Sequence, residues 1–287
     1  MPRDLSVRSR DVVVKAGALL GLLGRSIVDF FKDGGLMLAG SISYFSMMAV
    51  LPFCLFLIAL FTYSIGIDEE FFRFITAKLI SFFPKVAQSI AKELRDAISF
   101  RGVGTFTFIV YGILSYQLYS SLEWAINVVF KIKDKRSFIS HLFISLFIIT
   151  LLIIFLILSF GASSLISVLN TLKDDFPGLQ IHDITAFLIK YLVPFVLVLF
   201  TITAIYTIMP KKKVRWKDAL TGAIIASVFL EAAKHIFTFY VVKVVKLGAI
   251  YGPLSAFVIF LLWGFYSSCI FLIGAEVVHN LELKKKK

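Results

Sequence analysis

Apolar positions in this chain fall into long unbroken runs, not into the 3.6-residue or two-residue alternation of a half-buried helix or strand. No Asp, Glu, Lys or Arg occurs in Gly34–Ile67, Gly102–Leu122, Ser137–Leu172, Tyr191–Pro210 or Leu247–Ala275. About 20 apolar residues cross a ~30 Å hydrocarbon core as a helix, so each run predicts a transmembrane span. A sixth run, Ala219–Val242, carries Glu231, Lys234 and His235 inside it. The pattern predicts an all-α polytopic membrane protein with six transmembrane helices plus amphipathic interfacial helices. Its spans lie at about 36–66, 102–122, 138–170, 191–210, 219–242 and 247–275. They form a transmembrane domain at 34–280, between an amphipathic segment at 1–33 and a basic tail at 281–287. Ser137–Leu172 is 36 residues long, about 54 Å as a helix. That exceeds what crossing needs, so the helix tilts, protrudes or breaks near Gly161.

Two segments are apolar on one side only. Val12–Phe31 contains Lys15, Arg25 and Asp29 and predicts an interfacial helix. The outer loop 68–101 mixes Phe71, Phe72, Phe74, Phe82 and Phe83 with Lys78, Lys85, Lys92 and Arg95. Pro84 divides it into two short helices expected on the outer membrane surface.

Composition sharpens the class. The chain is 59% hydrophobic and 17% charged, with a mean hydropathy of +0.91, against about 45–50% and about 25% in soluble domains. A soluble enzyme, a secreted disulfide module and a disordered chain are excluded. The net charge of +12 changes meaning once the spans are placed. The N-terminus, 123–136, 211–218 and the C-tail hold 19 Lys and Arg, and the other three connections hold 10. The expected localisation is therefore the inner (plasma) membrane, multi-pass, with both termini cytoplasmic. The basic excess reports orientation, so the expected partners are membrane lipids, with no nucleic acid. Lys284–Lys287 read as a positive-inside stop. The N-terminus does not read as a cleavable signal, because Asp4, Arg8, Arg10 and Asp11 interrupt it. Cys54 and Cys269 lie in apolar runs and read as packing residues.

Candidate chemistry is confined to the few polar groups inside spans, each of which costs several kcal/mol unless paired or hydrated. Ser227, Glu231, Lys234 and Thr238 recur at spacings of 4, 3 and 4, on one helical face. Glu231 and Lys234 can pair at i, i+3. They are either an ion pair that makes the helix insertable or a functional site. Ser41, Tyr44, Gln117, Tyr206 and Glu276 complete the residues expected to line a polar intramembrane cavity. Pro52, Pro194, Pro210, Gly252 and Pro253 mark expected helix breaks. His141, His182, His235 and His279 show no metal-ligand spacing, and no nucleotide-binding loop or nucleophile elbow occurs. No catalytic residue, metal or cofactor is implied, and the chain is not expected to be an enzyme.

Three motifs carry a resemblance. Ala39-Gly-Ser-Ile-Ser-Tyr-Phe-Ser-Met-Met-Ala-Val-Leu-Pro52, Tyr206-Thr-Ile-Met-Pro210 before a basic loop with Trp216, and Tyr251-Gly-Pro-Leu-Ser255 with Leu262-Trp263 and Leu272-Ile-Gly-Ala-Glu276 stand in order along most of the chain. Together they resemble the YihY/virulence factor BrkB family. Gly40, Phe45 and Pro253 depart mildly from its pattern. The resemblance implies a bacterial inner-membrane protein of six helices, part of whose family was formerly labelled ribonuclease BN, and it names no substrate. The leading expectation is a non-enzymatic, transporter-like protein handling a lipid or other envelope component. The alternatives are an oligomeric scaffold in envelope biogenesis and, least favoured, a membrane-bound ribonuclease.

Overall fold

The computed structural model describes residues 3–49, 104–133, 192–240 and 255–286, with the isolated positions Ile144, Ile148 and Ile154. The outer loop 68–101, most of the 138–170 run, Pro52, Gly252 and Pro253 lie outside the described residues. Every described element is helical: α1 (Arg3–Lys32), α2 (Gly35–Ala49), α3 (Gly104–Val129), α4 (Val193–Ile208), α5 (Trp216–Phe239) and α6 (Ser255–Lys286).

Helix ends follow local chemistry. Gly34, at φ 70°, lets the chain turn out of α1, and its carbonyl accepts the Met37 and Leu38 amides that start α2. Lys131 adopts φ 57° after α3. The Ile132 amide bonds the Asn127 carbonyl and the Lys131 amide bonds that of Val128. This is a Schellman end with lysine in the position that glycine usually takes. Pro194 stands in the first turn of α4, where a missing amide donor costs nothing. Pro210 follows the last residues of α4 and stops it.

α5 and the Phe257–Lys285 part of α6 are each long and apolar enough to cross a membrane, while α2 and α4 are shorter apolar helices. α6 is the central pillar. Its residues Gly274–Asn280 are all buried, and α1, α3, α4 and α5 all pack on it. α5 meets it through a stripe of small residues, Ala219, Gly222, Ala223 and Ala226. A Cβ added at Gly222 would lie 2.7 Å from the Gly274 carbonyl oxygen, and one at Gly274 would lie 2.8 Å from the Ala226 Cβ. The two backbones are therefore in contact.

Polar side chains stitch the other helices together. The fully buried Tyr206 donates its hydroxyl to the Phe271 carbonyl of α6. Ser43 Oγ bonds the Leu261 carbonyl at 2.8 Å, and Ser41 and Ser121 hydroxyls meet at 2.9 Å between α2 and α3. Thr201, Thr203 and Thr207 return their hydroxyls to carbonyls four residues earlier in α4. The outside carries the large apolar groups, among them Val228, Phe229, Ile236 and Phe239 on α5. This arrangement of small and polar inside, large and apolar outside, suits a lipid solvent.

Tyr206→Phe is expected to remove one interhelical hydrogen bond and no packing volume. The protein should stay folded and lose about 1 kcal/mol, read as a lower melting temperature of the detergent-solubilised protein. A melting temperature equal to that of wild type would show that the bond contributes nothing.

Candidate functional site

Ser26, Asp218, Glu276, His279, Asn280 and Glu282, all buried, gather at the end of the helix assembly where α1 and α3 end, α5 begins and the last turns of α6 emerge. α1 and α6 run antiparallel there, and their polar positions interleave. Asn280 Nδ2 donates to Ser26 Oγ at 3.2 Å and to Asp29 Oδ2 at 3.0 Å. One turn along, Asp33 faces Glu276. Lys131, aimed by its left-handed backbone, forms an ion pair with Asp33. Arg25 lies 3.7 Å from Asp29.

On the other side of α6, Lys285 pairs with Asp218 of α5 and Lys212 pairs with Glu282. Asp218 and Glu282 are buried, so each lysine brings its charge to a carboxylate that water does not reach. Asp218 also occupies the first turn of α5, where a negative charge meets the positive end of the helix dipole. His279 stacks edge-on against Phe130, with ring centres 5.6 Å apart.

From residue 17 on, α1 turns both polar and apolar side chains, Ser26, Asp29 and Phe30, toward the protein. Ser26 is fully buried, while Leu20 is 68% exposed and Phe31 59% exposed. The exposed side carries Arg25 and Lys32 together with the large apolar Ile27, Val28 and, beyond the turn, Met37. The amphipathic segment expected at 12–31 is present as a helix, but polar positions are used for packing as well as apolar ones.

The residues singled out from sequence do not converge on one point. Glu231 Oε1 and Lys234 Nζ pair at 2.5 Å, both roughly 40% exposed by their side chains, with His235 Nε2 at 3.5 Å from the same oxygen. Ser227 is buried on that face, and its hydroxyl meets no partner among the described residues. Thr238 returns its hydroxyl to the Lys234 carbonyl. Tyr44 and Gln117 are exposed. Ser41 lies at the α2–α3 contact, Tyr206 at α4–α6 and Glu276 in the polar end.

Sequence reading missed Asp29, Asp33, Lys131, Asp218, Asn280, Glu282 and Lys285. Spacing carried part of the signal: Ser26, Asp29 and Asp33 share a face of α1, as Glu276 and Asn280 share one of α6. Among the described residues no three His, Cys, Asp or Glu side chains converge as ligands for a metal ion.

Residues 26–287 match the family described as virulence factor BrkB. The chain belongs to this family. Among its relatives, a UPF0761 membrane protein of Rhodospirillum centenum is 26% identical over 270 residues, covering 91% of this chain and 57% of that protein. One from Legionella pneumophila is 25% identical, covering 91% and 62%. One from Haemophilus influenzae is 26% identical over 249 residues, covering 85% and 88%. The chain thus spans about six-tenths of the first two relatives' length. No solved structure matches it. This BrkB-family chain is an integral membrane protein, as its apolar helices and its membrane-protein relatives agree.

Lys285→Ala is expected to strand the buried Asp218 carboxylate and destabilise the protein by about 2 kcal/mol. Asp218→Asn in the same chain should recover most of that loss. A double-mutant cycle by thermal unfolding checks this, and strictly additive effects would show that the two side chains are not coupled.

Proposed function

We propose that this BrkB-family protein is a multi-pass inner-membrane protein, both termini cytoplasmic, that handles a lipid or another envelope amphiphile without catalysing a reaction. The observation that carries the reading is the Glu231–Lys234 pair. It sits half-exposed on α5, beside the exposed apolar residues Val228, Phe229 and Ile236. Paired opposite charges next to an apolar surface match the chemistry of a zwitterionic headgroup attached to acyl chains. In a lipid setting such a pair is costly to keep and calls for a polar partner. The excess of basic residues in the loops supports the orientation.

A second reading, a homo-oligomeric scaffold, uses the same exposed face as a contact between copies. α5 presents apolar side chains around the ion pair, which suits helix–helix packing as well as lipid.

One experiment separates them. The variant Glu231→Leu/Lys234→Met keeps the helix and its bulk and removes both charges. With normal expression it should lose complementation of the deletion phenotype and lose photocrosslinking to a phospholipid analogue. Full complementation together with undiminished crosslinking would overturn the lipid-handling reading. Thr238→Cys, on the exposed end of the same face, should be labelled by a soluble maleimide under the first reading. Under the scaffold reading it should form disulfides between subunits instead.

A further inference from the structure

Glu276 is the most deeply buried acid among the described residues, with no exposed surface, and neither of its oxygens meets a hydrogen-bond donor. The group it faces is another carboxyl, that of Asp33 on α1. Glu276 as an anion is disfavoured twice, by its own complete burial and by Coulomb repulsion from the largely enclosed Asp33 carboxylate. One added proton resolves the contact: a protonated acid donates its hydrogen to the other, which accepts as an anion.

We infer that Glu276 and Asp33 form a proton-binding site in which Glu276 holds the proton and donates it to Asp33, latching α1 onto α6. The surroundings fix which partner is protonated. Lys131 is committed to Asp33 Oδ2, so of the two acids Asp33 is the one with a cation against it and Glu276 the one without. On α1, Asp29 is engaged by Arg25 and by Asn280 Nδ2. On α6, Glu282 is paired with Lys212, while His279, edge-on to Phe130, feels Lys131 and Asp33 as well as Lys212 and Glu282. Among the described residues no lysine or arginine forms an ion pair with Glu276, and Lys131, whose charge it feels, is paired with Asp33. A proton therefore fits where a metal ion does not, since no three ionisable ligands converge among the described residues. The site lies apart from the Glu231–Lys234 face, and the inference is independent of the function proposed above.

The test uses the full chain in phosphatidylcholine/phosphatidylglycerol nanodiscs. Infrared spectra at neutral pH should show the carbonyl stretch of a protonated acid in wild type. That band should be absent from Glu276→Gln and shifted in Asp33→Asn, where the acid hydrogen meets a neutral amide oxygen in place of a carboxylate. Raising the pH should abolish the wild-type band. Hydrogen exchange then reads the latch. Glu276→Gln, whose amide still donates to Asp33, should keep α1 amides 17–32 as protected as wild type, whereas Glu276→Ala should speed their exchange about tenfold. Identical infrared spectra for wild type and Glu276→Gln would overturn the proposal. So would a band that persists unchanged in Asp33→Asn, or exchange in Glu276→Gln as fast as in Glu276→Ala.

Discussion

Everything in this assembly depends on how closely α5 approaches α6. In lipid, two apolar helices gain nothing by hiding from the solvent, so association rests on van der Waals contact and hydrogen bonds. Both require short distances. Gly222 and Gly274 remove the side chains that would hold the helices apart, and Ala219, Ala223 and Ala226 extend the flat strip. The missing side chain at Gly274 also leaves room for the Tyr206 hydroxyl of α4, which a Cβ there would overlap and which bonds the Phe271 carbonyl. The same approach brings the first turn of α5 within reach of Lys285.

From that crossing outward the protein separates into two chemistries. The apolar middle is held by small residues and by hydroxyls that bond carbonyls within and between helices. The end where α6 emerges is held by charge: three carboxylates, on Asp33, Asp218 and Glu282, each take a lysine from another part of the chain. α1 joins this end through Ser26, Asp29 and Phe30 and offers Leu20, Ile27, Val28 and Phe31 outward. Such a helix is stable only where its outer face meets something apolar. This orientation supports residues 19–31 lying at the boundary of the membrane rather than in open water.

The helices themselves were legible because a lipid solvent makes apolar content, not periodicity, the signal. Charge-free runs locate α2, α3, α4 and α6, and a run broken only by Glu231, Lys234 and His235 locates α5. Their ends were less visible: α3 continues to Val129 and α6 to Lys286, because helical hydrogen bonding continues past the last apolar residue. The Glu231–Lys234 pair was legible for the reason that makes it costly, being the only acid and base within i, i+3 inside a span. The polar end was hidden by the same logic. Asp33, Lys131 and Asp218 stand beside the basic loops, where a charge arouses no suspicion, and their partners are 67 to 98 residues away in the chain. Glu276 stands out in the sequence as a cavity-lining candidate, but that it faces Asp33 depends on α1 folding back along α6. The amphipathic pattern of α1 showed two faces without saying which side chains meet the protein.

The close crossing of α5 and α6 makes a prediction about sign, which thermal unfolding of glycine variants in nanodiscs reads directly. Elsewhere in a helix, Gly→Ala removes backbone entropy from the unfolded chain and stabilises by about 0.5–1 kcal/mol. Gly21→Ala in α1, where an added Cβ meets nothing within 4 Å, should behave so or be neutral. Gly222→Ala and Gly274→Ala should do the opposite and lower the melting temperature, by the equivalent of about 1–3 kcal/mol. If all three variants melt at or above the wild-type temperature, the two helices are not in backbone contact, and this account of the fold is wrong.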